Sequence, residues 1–328
     1  MSRSAFVTGA AGFVGLSLVQ ELLAQGWRVT ALLRESSTRE DLAGLDIELR
    51  AGDITDPASL ATAVPRGVDC VFHVAASTNT WSRHNALQTR VNVDGTRNVV
   101  EAAIAAGAAR LVHTSSFSVW GFQDGLLDET RPWRERDGWI NYIRSKRLGE
   151  QIVKRAAQEG RINATLCNPA HILGPGDRRN WARMIRLVDA GTLPGVPPGG
   201  GAFADVREVA RAHIAAAERG RSGENYLLGG EDMDFFELVA TTGAILGKPT
   251  PARPTAAWLM RVSARLAAAR AALTGQQPSL TPEAVAMMTH HVRCDSSKAR
   301  RELGYRTTPV RTLLEDSCTW LRGKGLIS

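Results

Sequence analysis

The feature of this sequence that most constrains its fold is a short apolar strand that leads into three evenly spaced glycines and then into an apolar-periodic helix. The stretch covers residues 5–15, AFVTGAAGFVG, with glycines at Gly9, Gly12 and Gly15. Glycine lets backbone N–H groups approach an anion, and the free amides and the dipole of a first helical turn attract one. The order of these elements therefore predicts a binding site for a dinucleotide pyrophosphate. The spacing is GxxGxxG and not the common GxGxxG, so glycines that only permit tight packing are the alternative.

Alternating strand and helix signals through the first two-thirds of the chain predict an α/β fold, a doubly wound parallel sheet of the Rossmann type. We expect strands at residues 5–8, 28–33, 47–51, 69–74, 110–114 and 163–168. Shorter elements follow residues 174–177, and residues 193–201 are rich in proline and glycine. We therefore expect a dinucleotide-binding domain over residues 1–175. Residues 176–328 would form mainly a smaller substrate-binding lobe, with an interleaved boundary.

Composition argues against several classes of protein. The net charge is +7, but the basic residues are dispersed and not interleaved with aromatic ones, so we expect no nucleic-acid binding. The chain opens without a signal-peptide run and has no stretch of about 18 apolar residues, which predicts a cytoplasmic protein without a membrane span. The four cysteines lack metal-ligand spacing, and adjacent His290 and His291 would diverge by about 100° on a helix, so no metal site is predicted. The sequence does not determine the oligomeric state, and a homodimer is one of the states it allows.

A second helix pattern, at residues 258–273, is both apolar and basic. Its large apolar positions share one helical face and its arginines lie off that face: Leu259, Val262, Leu266, Ala269 and Leu273, with Arg261, Arg265 and Arg270. Such a helix can lie on a membrane or on a partner protein. We expect instead that the apolar face packs on its own domain.

Two further features bring chemistry to the strand ends, where open α/β sheets bind ligands. Ser116 follows the strand predicted at residues 110–114, and Tyr142 and Lys146 are i,i+4 neighbours on a predicted helix. An ammonium beneath the phenol would lower its pKa from about 10 toward neutrality. Ser116 would hold a substrate oxygen while Tyr142 transfers a proton to it. A lone YxxxK pair can equally be a surface pair, but its combination with Ser116 and the glycine turn favours catalysis.

At these residues the sequence resembles the extended short-chain dehydrogenase/reductase family over nearly the whole chain, and within it the dihydroflavonol reductase-like and hopanoid-associated epimerase-like members. Beyond the glycine turn, Ser116 and the YxxxK pair, the matching motifs are GDITD at 52–56, HVAA at 73–76, NVDGT at 92–96, NPAHILGP at 168–175, DSSK at 295–298 and LGY at 303–305.

The resemblance implies a nicotinamide cofactor and assigns its contacts. These are Gly9, Gly12, Phe13, Val14 and Gly15 at the pyrophosphate, Asp53 and Ile54 at the adenine, Ala75 and Ala76 along the cofactor, and Pro169 beside the nicotinamide. Tyr142 becomes the acid/base and Lys146 its tuner and a ligand of the nicotinamide ribose, while Asn92 organises the site.

The residue after the second predicted strand bears on the choice of cofactor. It is Arg34, where an acidic residue would bind the ribose 2′-hydroxyl of NAD, and arginine instead suits a 2′-phosphate. Ser36, Ser37 and Arg39 follow, although an exposed loop would have a similar composition. We expect NADP(H), with NAD as the alternative.

The leading hypothesis is an oxidoreductase that reduces a ketone or aldehyde of a largely apolar small molecule, or oxidises the alcohol. Aromatic and apolar residues near the proposed site should converge on the pocket: Trp81, Phe117, Trp120, Phe122, Trp133, Trp139 and Ile140. Epimerases of this family commonly carry a diphosphate-binding arginine where this chain has GGGA at 199–202, although Arg178, Arg179 or Arg183 could replace it. A nucleotide-sugar epimerase or dehydratase with tightly bound NAD, and a non-catalytic dinucleotide-binding protein, are the alternatives. His171 either lines the pocket or assists proton movement.

Overall fold

A computed structural model describes residues 2–328. Its strands are β1 (Ser4–Thr8), β2 (Arg28–Leu33), β3 (Ile47–Ala51), β4 (Cys70–His73), β5 (Leu111–Thr114), β6 (Leu126–Leu127), β7 (Ala164–Pro169), β8 (His171–Leu173), β9 (Gly200–Asp205), β10 (Asn225–Leu228), β11 (Glu231–Asp234) and β12 (His291–Cys294).

The helices are α1 (Phe13–Ala24), α2 (Pro57–Ala63), α3 (Asn85–Thr89), α4 (Gly95–Ala105), α5 (Asn141–Gln158), α6 (Trp181–Asp189), α7 (Val206–Arg219), α8 (Phe235–Leu246), α9 (Ala257–Thr274), α10 (Pro282–Met288), α11 (Ser297–Leu303) and α12 (Val310–Gly323). A π-helical segment, Arg90–Asp94, joins α3 to α4, and short 3-10 turns complete the connections.

The predicted doubly wound parallel sheet is confirmed. Seven strands lie side by side in the order β10-β7-β5-β4-β1-β2-β3, all parallel, so the chain runs outward from β1 in two directions. The order places the carboxyl ends of β1 and β4 next to each other, with those of β2 and β5 on either side. Ligands of such sheets bind at this edge, where the strand order reverses.

Helices cover both faces of this sheet. Leu18 of α1 and Ile214 of α7 belong to the core on one face, while Val99 of α4 and Val153 of α5 belong to the core on the other. Because both faces are covered, the strands other than the edge strand β3 are buried almost without alternation; Val29–Leu33 of β2 is an unbroken buried run.

A smaller sheet is formed mainly by the second half of the chain, with β6 from the first half. Strands β11, β9, β12 and β6 are neighbours in that order, and β8 also pairs with β9. Helices α6, α8 and α12 pack around it, with Ile185, Leu238 and Leu314 in a common core. The chain crosses between the sheets more than once, because β6 and β8 precede residue 176 and β10 follows it. The division at 175/176 stays a prediction.

Candidate active site

The glycine turn between β1 and α1 is packed as closely as glycine allows. A Cβ on Gly15 would lie 2.0 Å from the carbonyl oxygen of Gly9, and one on Gly9, whose φ is +76°, would lie 2.7 Å from the amide nitrogen of Ala75. Gly12 is the N-cap of α1, and neither a capping side chain nor an acidic first-turn residue occupies that helix end. The first and third glycines therefore have packing roles, and the uncapped helix start beside them fits an anionic phosphate.

A hydrogen-bonded column of buried side chains supports this turn from below. Thr8 Oγ1 lies 2.8 Å from His73 Nδ1, and His73 Nε2 lies 3.0 Å from Thr96 Oγ1. Thr8 Oγ1 also accepts a bond from the amide of Ala75 at 3.3 Å. Burial first, and the Lys146 charge second, lower the pKa of His73 to about 3, so this imidazole is neutral. The column ties β1, β4 and α4 together at the place where the cofactor is predicted to lie.

The predicted adenine and ribose contacts lie along the same edge of the sheet. Arg34 follows β2 directly and is exposed, and among the described residues its guanidinium has neither an ion pair nor a hydrogen bond. Asp53 follows β3, and one of its oxygens accepts bonds from the amide and hydroxyl of Thr55 at 2.8 and 2.9 Å. Ile54 is buried, and a Cβ on Gly95 would lie 2.7 Å from its Cδ1. Of the two remaining predicted contacts, Ala76 is exposed beyond β4 and Pro169 is buried at the end of β7.

Ser116, Tyr142 and Lys146 come together at the carboxyl end of β5. Ser116 is buried, and the hydroxyl of Ser118 donates to its oxygen at 2.9 Å. The half-buried phenol of Tyr142 lies beside these serines, both of which act to lower its pKa. One turn later on α5, the buried Lys146 donates from Nζ to the carbonyl oxygen of Thr114 at 2.6 Å. The structure thus gathers a hydroxyl, a phenol and an ammonium around one strand end.

Burial dominates the electrostatics of this group. Burial raises the pKa of Tyr142, and the hydrogen bonds with Ser116 and Ser118 offset only part of that rise. Burial also lowers the pKa of Lys146 to about 8, against an opposing effect of Glu150. In the protein alone, burial is the largest effect on the phenol pKa, and the ammonium of Lys146 is bonded to the Thr114 carbonyl oxygen. The lowering of the phenol pKa by Lys146 stays a prediction.

Sequence reasoning missed a buried carboxylate beneath the catalytic candidates. Glu150 is only 4% exposed, and its Oε2 accepts bonds from Ser115 Oγ at 2.6 Å and Asn168 Nδ2 at 2.8 Å. Asn168 also donates to the carbonyl oxygen of Ser116 at 3.1 Å and accepts from Asn225 at 2.8 Å. The carboxylate therefore joins α5 to the ends of β5 and β7. The available signal was its position four residues after Lys146, on the same helix face.

Asn92 lies in the π-helical segment and clamps the loop that follows β4. Its Oδ1 accepts from the amide of Ser77 at 2.7 Å, and its Nδ2 donates to the Ser77 carbonyl and to Ser145 Oγ, each at 3.0 Å. A Cβ on Gly149 would lie 2.5 Å from the Asn92 carbonyl oxygen, so α5 approaches this segment closely. These contacts suit the organising role that the resemblance implies for Asn92.

An apolar wall stands beside Tyr142, formed by most of the residues predicted to converge there. Phe117, Trp120, Phe122, Trp133 and Ile140 belong with Tyr142 to one cluster. Two members of the predicted set lie outside this cluster: Trp139 is 54% exposed, and Trp81 packs on His84 with a ring separation of 5.1 Å. Their place in the pocket stays a prediction. Both lie on turns outside regular strands, where residue type alone does not fix the direction of a side chain.

His171 lies within a group of aromatic rings. Phe117, Trp181, Phe203 and Phe235 surround it with ring centroids 5.3–5.5 Å from its own. Burial lowers the pKa of this imidazole to about 4, so it is neutral near pH 7. An uncharged His171 fits the pocket-lining interpretation better than that of a proton carrier.

The glycines at 199–201 leave no room for longer side chains. A Cβ on Gly199 would lie 2.4 Å from the Met288 carbonyl oxygen, and one on Gly200 would lie 2.7 Å from Asp234 Cα. Arg178, one of the possible replacements for a diphosphate ligand, pairs with Asp41 at 2.8 Å. Arg179 and Arg183 are exposed.

Comparison with known proteins assigns this arrangement to a family. The model of the NAD dependent epimerase/dehydratase family matches residues 5–229. The chain is 33% identical to a Synechocystis sp. protein named as a dihydroflavonol 4-reductase, covering 100% of this chain and 97% of that protein. It is 32% identical to sterol demethylase protein B of Methylococcus capsulatus, covering 98% and 99%.

Solved structures show the same relationship. The crystal structure of gox2253 matches with a TM-score of 0.86 at 33% identity, covering 100% of both chains. That of PA4631, a nucleoside-diphosphate-sugar epimerase from Pseudomonas aeruginosa, matches with a TM-score of 0.80 at 25% identity, again over 100% of both chains. With the glycine turn and the Ser116, Tyr142 and Lys146 group in place, the chain belongs to the NAD-dependent epimerase/dehydratase family of the extended short-chain dehydrogenases/reductases.

Proposed function

We propose that this protein is an NAD(P)-dependent oxidoreductase that reduces a ketone or aldehyde on a largely apolar small molecule, or oxidises the corresponding alcohol. The observation that carries the proposal is the surroundings of Tyr142. Its phenol lies beside Ser116 and in one cluster with Phe117 and Trp133. Aromatic walls bury large apolar area and stack on hydrophobic ligands, so they favour an apolar substrate over a charged one.

The roles of the chain's own residues follow from these positions. A bound nicotinamide cofactor supplies or accepts the hydride. Ser116 holds the substrate oxygen by a hydrogen bond, and Tyr142 donates a proton to that oxygen in reduction and accepts one in oxidation. Lys146 provides positive charge at the strand end. Glu150 fixes the backbone on which Ser116 stands, because it bonds both Ser115 and the Asn168 that holds the Ser116 carbonyl.

The cofactor contacts are proposed on the same basis. The uncapped start of α1 and the close glycine turn fit a pyrophosphate, and Asp53, Ile54, Ala75, Ala76 and Pro169 lie at the carboxyl edge that the rest of a dinucleotide would cover. Arg34, exposed and without an ionic partner in the described part of the chain, suits the 2′-phosphate of NADP(H).

The cofactor preference is tested by one substitution. Arg34→Ala should reduce kcat/KM with NADPH by about ten- to a hundredfold, because it removes a charge-assisted hydrogen bond, and should leave kcat/KM with NADH within about twofold. Arg66→Ala, an exposed arginine in the loop before β4, is the matched control. Equal efficiency with the two cofactors in wild type and in Arg34→Ala would exclude the role of Arg34.

A nucleotide-sugar epimerase or dehydratase is the second candidate, favoured by the likeness to PA4631. Three observations weigh against it. The backbone at Gly199 and Gly200 has no space for a side chain in the segment where sugar-nucleotide enzymes of this family commonly carry an arginine, and Arg178 is already paired with Asp41. The names of two relatives matched over nearly their whole length refer to a dihydroflavonol and a sterol.

A substrate screen decides between the two. Purified protein is given NADPH or NADH with a panel of aromatic, alicyclic and alkyl ketones and aldehydes, and loss of nicotinamide absorbance is followed. A parallel set of UDP-, GDP- and dTDP-sugars is followed for epimerised or dehydrated product without added cofactor. The proposal expects turnover in the first set only. Turnover of nucleotide sugars, with NAD released on acid treatment, would replace it by the second candidate.

A further inference from the structure

Helix α9 exposes the large apolar side chains that the sequence analysis expected to pack on the domain. Its five large exposed apolar residues include Leu273 at 90%, Leu266 at 68% and Trp258 at 66% exposure, together with Leu259 and Val262. The residues it buries are Met260, Ala264 and Ala271. The expectation that its large apolar face packs on the domain is therefore wrong, because the helix attaches by a narrow face of small residues. A contiguous exposed stripe of this kind marks an interaction surface.

The two faces of α9 are opposed. At about 100° per residue, Trp258, Leu259, Val262, Leu266, Ala269 and Leu273 fall within an arc of about 100°. The buried positions Met260, Ala264 and Ala271 cluster on the other side of the helix, roughly half a turn away. The stripe is thus an outward surface along the whole helix, and the packing of the helix on the protein does not depend on it.

Basic residues border the stripe on both sides. Arg261 and Arg265 lie along one edge and Arg270 along the other, and all three are exposed. The charge of the surrounding sequence has one sign: residues 238–282 contain Lys248, Arg253 and these three arginines but no aspartate or glutamate. An apolar stripe with flanking arginines and no acidic residue complements a surface that is apolar within and negatively charged outside.

We propose that α9 is a docking surface for an anionic lipid bilayer, in whose interface it lies parallel to the membrane plane. Within residues 2–328 no helix combines the length and apolar character needed to cross a membrane. A second copy of the chain fits this surface less well, because a two-fold contact through the stripe would oppose arginines with no acidic residue of the same segment to pair them. In an anionic bilayer the leucines would insert at the headgroup boundary, and the arginines would bind the lipid phosphates.

The buried face of α9, opposite the stripe, is connected to the cluster around Tyr142 through α10. Helix α10 packs on α9 through Val285, which shares a small core with Met260 and Ala264. The next two residues of α10, Ala286 and Met287, pack against the cluster that contains Tyr142. If the substrate is apolar, which rests on the proposed function, docking through α9 would hold the site close to the membrane that dissolves that substrate.

Vesicle flotation of the full chain tests the docking without any measurement of turnover. Vesicles of phosphatidylcholine alone are compared with vesicles that contain phosphatidylglycerol as well. The double variant Leu266→Gln/Leu273→Gln should lower the partition coefficient on anionic vesicles at least about tenfold. The triple variant Arg261→Gln/Arg265→Gln/Arg270→Gln should lower it about a hundredfold and remove its dependence on salt and on phosphatidylglycerol.

Leu49→Gln, at an exposed leucine of the edge strand β3, is the matched control and should bind as wild type does. Circular dichroism of every variant should match wild type, since each changed side chain is exposed. The proposal is overturned if the wild type does not float with anionic vesicles, or if the double variant floats as well as the wild type does. A dimer that the double variant loses, without vesicle binding, would make a second copy the occupant. Because no substrate enters the assay, its outcome is independent of the proposed reaction.

Discussion

Helices α5 and α9 have the same length of 18 residues, but both depart from the usual relation between polarity and burial. Helix α5 buries Lys146 and Glu150, and α9 exposes Leu266 and Leu273. In α5 each buried charge has polar partners within hydrogen-bonding distance, which offsets the cost of removing it from water. In α9 nothing in the described chain covers the leucines. Helix α5 therefore presents its distinctive residues to the proposed active site, whereas α9 presents them to the outside of the protein.

This contrast makes a simple division testable: changes on the buried face of α5 should alter catalysis or folding, whereas changes on the exposed stripe of α9 should alter neither.

The largest effect is expected at Tyr142. Tyr142→Phe removes the proton donor but little contact area, so it should lower kcat about 10²- to 10⁴-fold while the cofactor Kd stays within a few-fold. The measurements are steady-state turnover on a substrate found in the screen and cofactor titration by fluorescence. Tyr226→Phe is the matched control, because it removes a hydroxyl that bonds Glu302 away from the site. Near-normal turnover of Tyr142→Phe would exclude Tyr142 as the acid/base.

The next largest effect concerns folding through the same helix. Ile143 follows the proposed acid/base and is fully buried in the cluster beside it. Ile143→Ala should lower the free energy of unfolding by about 2–5 kcal/mol, because it removes a buried side chain and leaves a cavity. Urea unfolding followed by circular dichroism measures this. A loss under about 1 kcal/mol would show that α5 is attached less firmly than its burial indicates.

Where the sequence predicted the structure well, local pattern and tertiary context agree. Strands β2 and β3 have the predicted bounds: β2 is an apolar run buried on the sheet, and β3 is a half-exposed edge strand that pairs with it along its whole length. The i,i+4 spacing of Tyr142 and Lys146 also required only a helix. The outward face of α9 could not be predicted in this way: periodicity reveals that an apolar face exists, but the packing partner that covers it, or its absence, is a property of the whole fold. The π-helical turn at Asn92 left no signal either, since it shifts the helical register within a few residues.

Glu150 shows a different limit of sequence reasoning. A glutamate on a helix of this composition usually faces solvent. Its burial follows from the approach of α5 to β5 and β7, where Ser115 and Asn168 provide donors. The i,i+4 spacing from Lys146 indicates a shared helix face, but only the three-dimensional register of those elements shows that Glu150 is buried at the site.

A smaller effect, with a distinct pH signature, is therefore expected from Glu150→Gln. Glutamine is uncharged, so its hydrogen bonds with Ser115 and Asn168 would be weaker than those of the carboxylate, and we expect kcat to fall about tenfold. The charge of Glu150 raises the pKa of Lys146, which burial lowers to about 8. Removing that charge should lower the Lys146 pKa further. The ammonium would then be lost at a lower pH, and the alkaline limb of the pH–rate profile should move toward neutrality.

The control for Glu150→Gln is the same change on the same helix at an exposed position. Glu159 ends α5 and pairs with Arg155 in solvent at 2.7 Å. Glu159→Gln should leave both kcat and the alkaline limb as in wild type, since exposed ion pairs contribute little. If Glu150→Gln lowers kcat with the pH profile unmoved, Glu150 acts on the backbone of Ser116 alone and not through Lys146.

The smallest effect is expected on α9 and completes the comparison. Leu266→Ala removes as many carbon atoms as Ile143→Ala, but the side chain is 68% exposed and touches no core. Its loss should change the free energy of unfolding by no more than about 0.5 kcal/mol, because alanine is at least as good a helix former and no cavity is created. Turnover of a soluble substrate should also match wild type. The urea unfolding curves of Ile143→Ala and Leu266→Ala therefore compare the loss of three carbon atoms at a buried position with the same loss at an exposed one. A loss of more than about 1.5 kcal/mol in Leu266→Ala would mean that the stripe is covered in solution, by the chain itself or by a second copy, and the exposed face of α9 would no longer be available to a membrane.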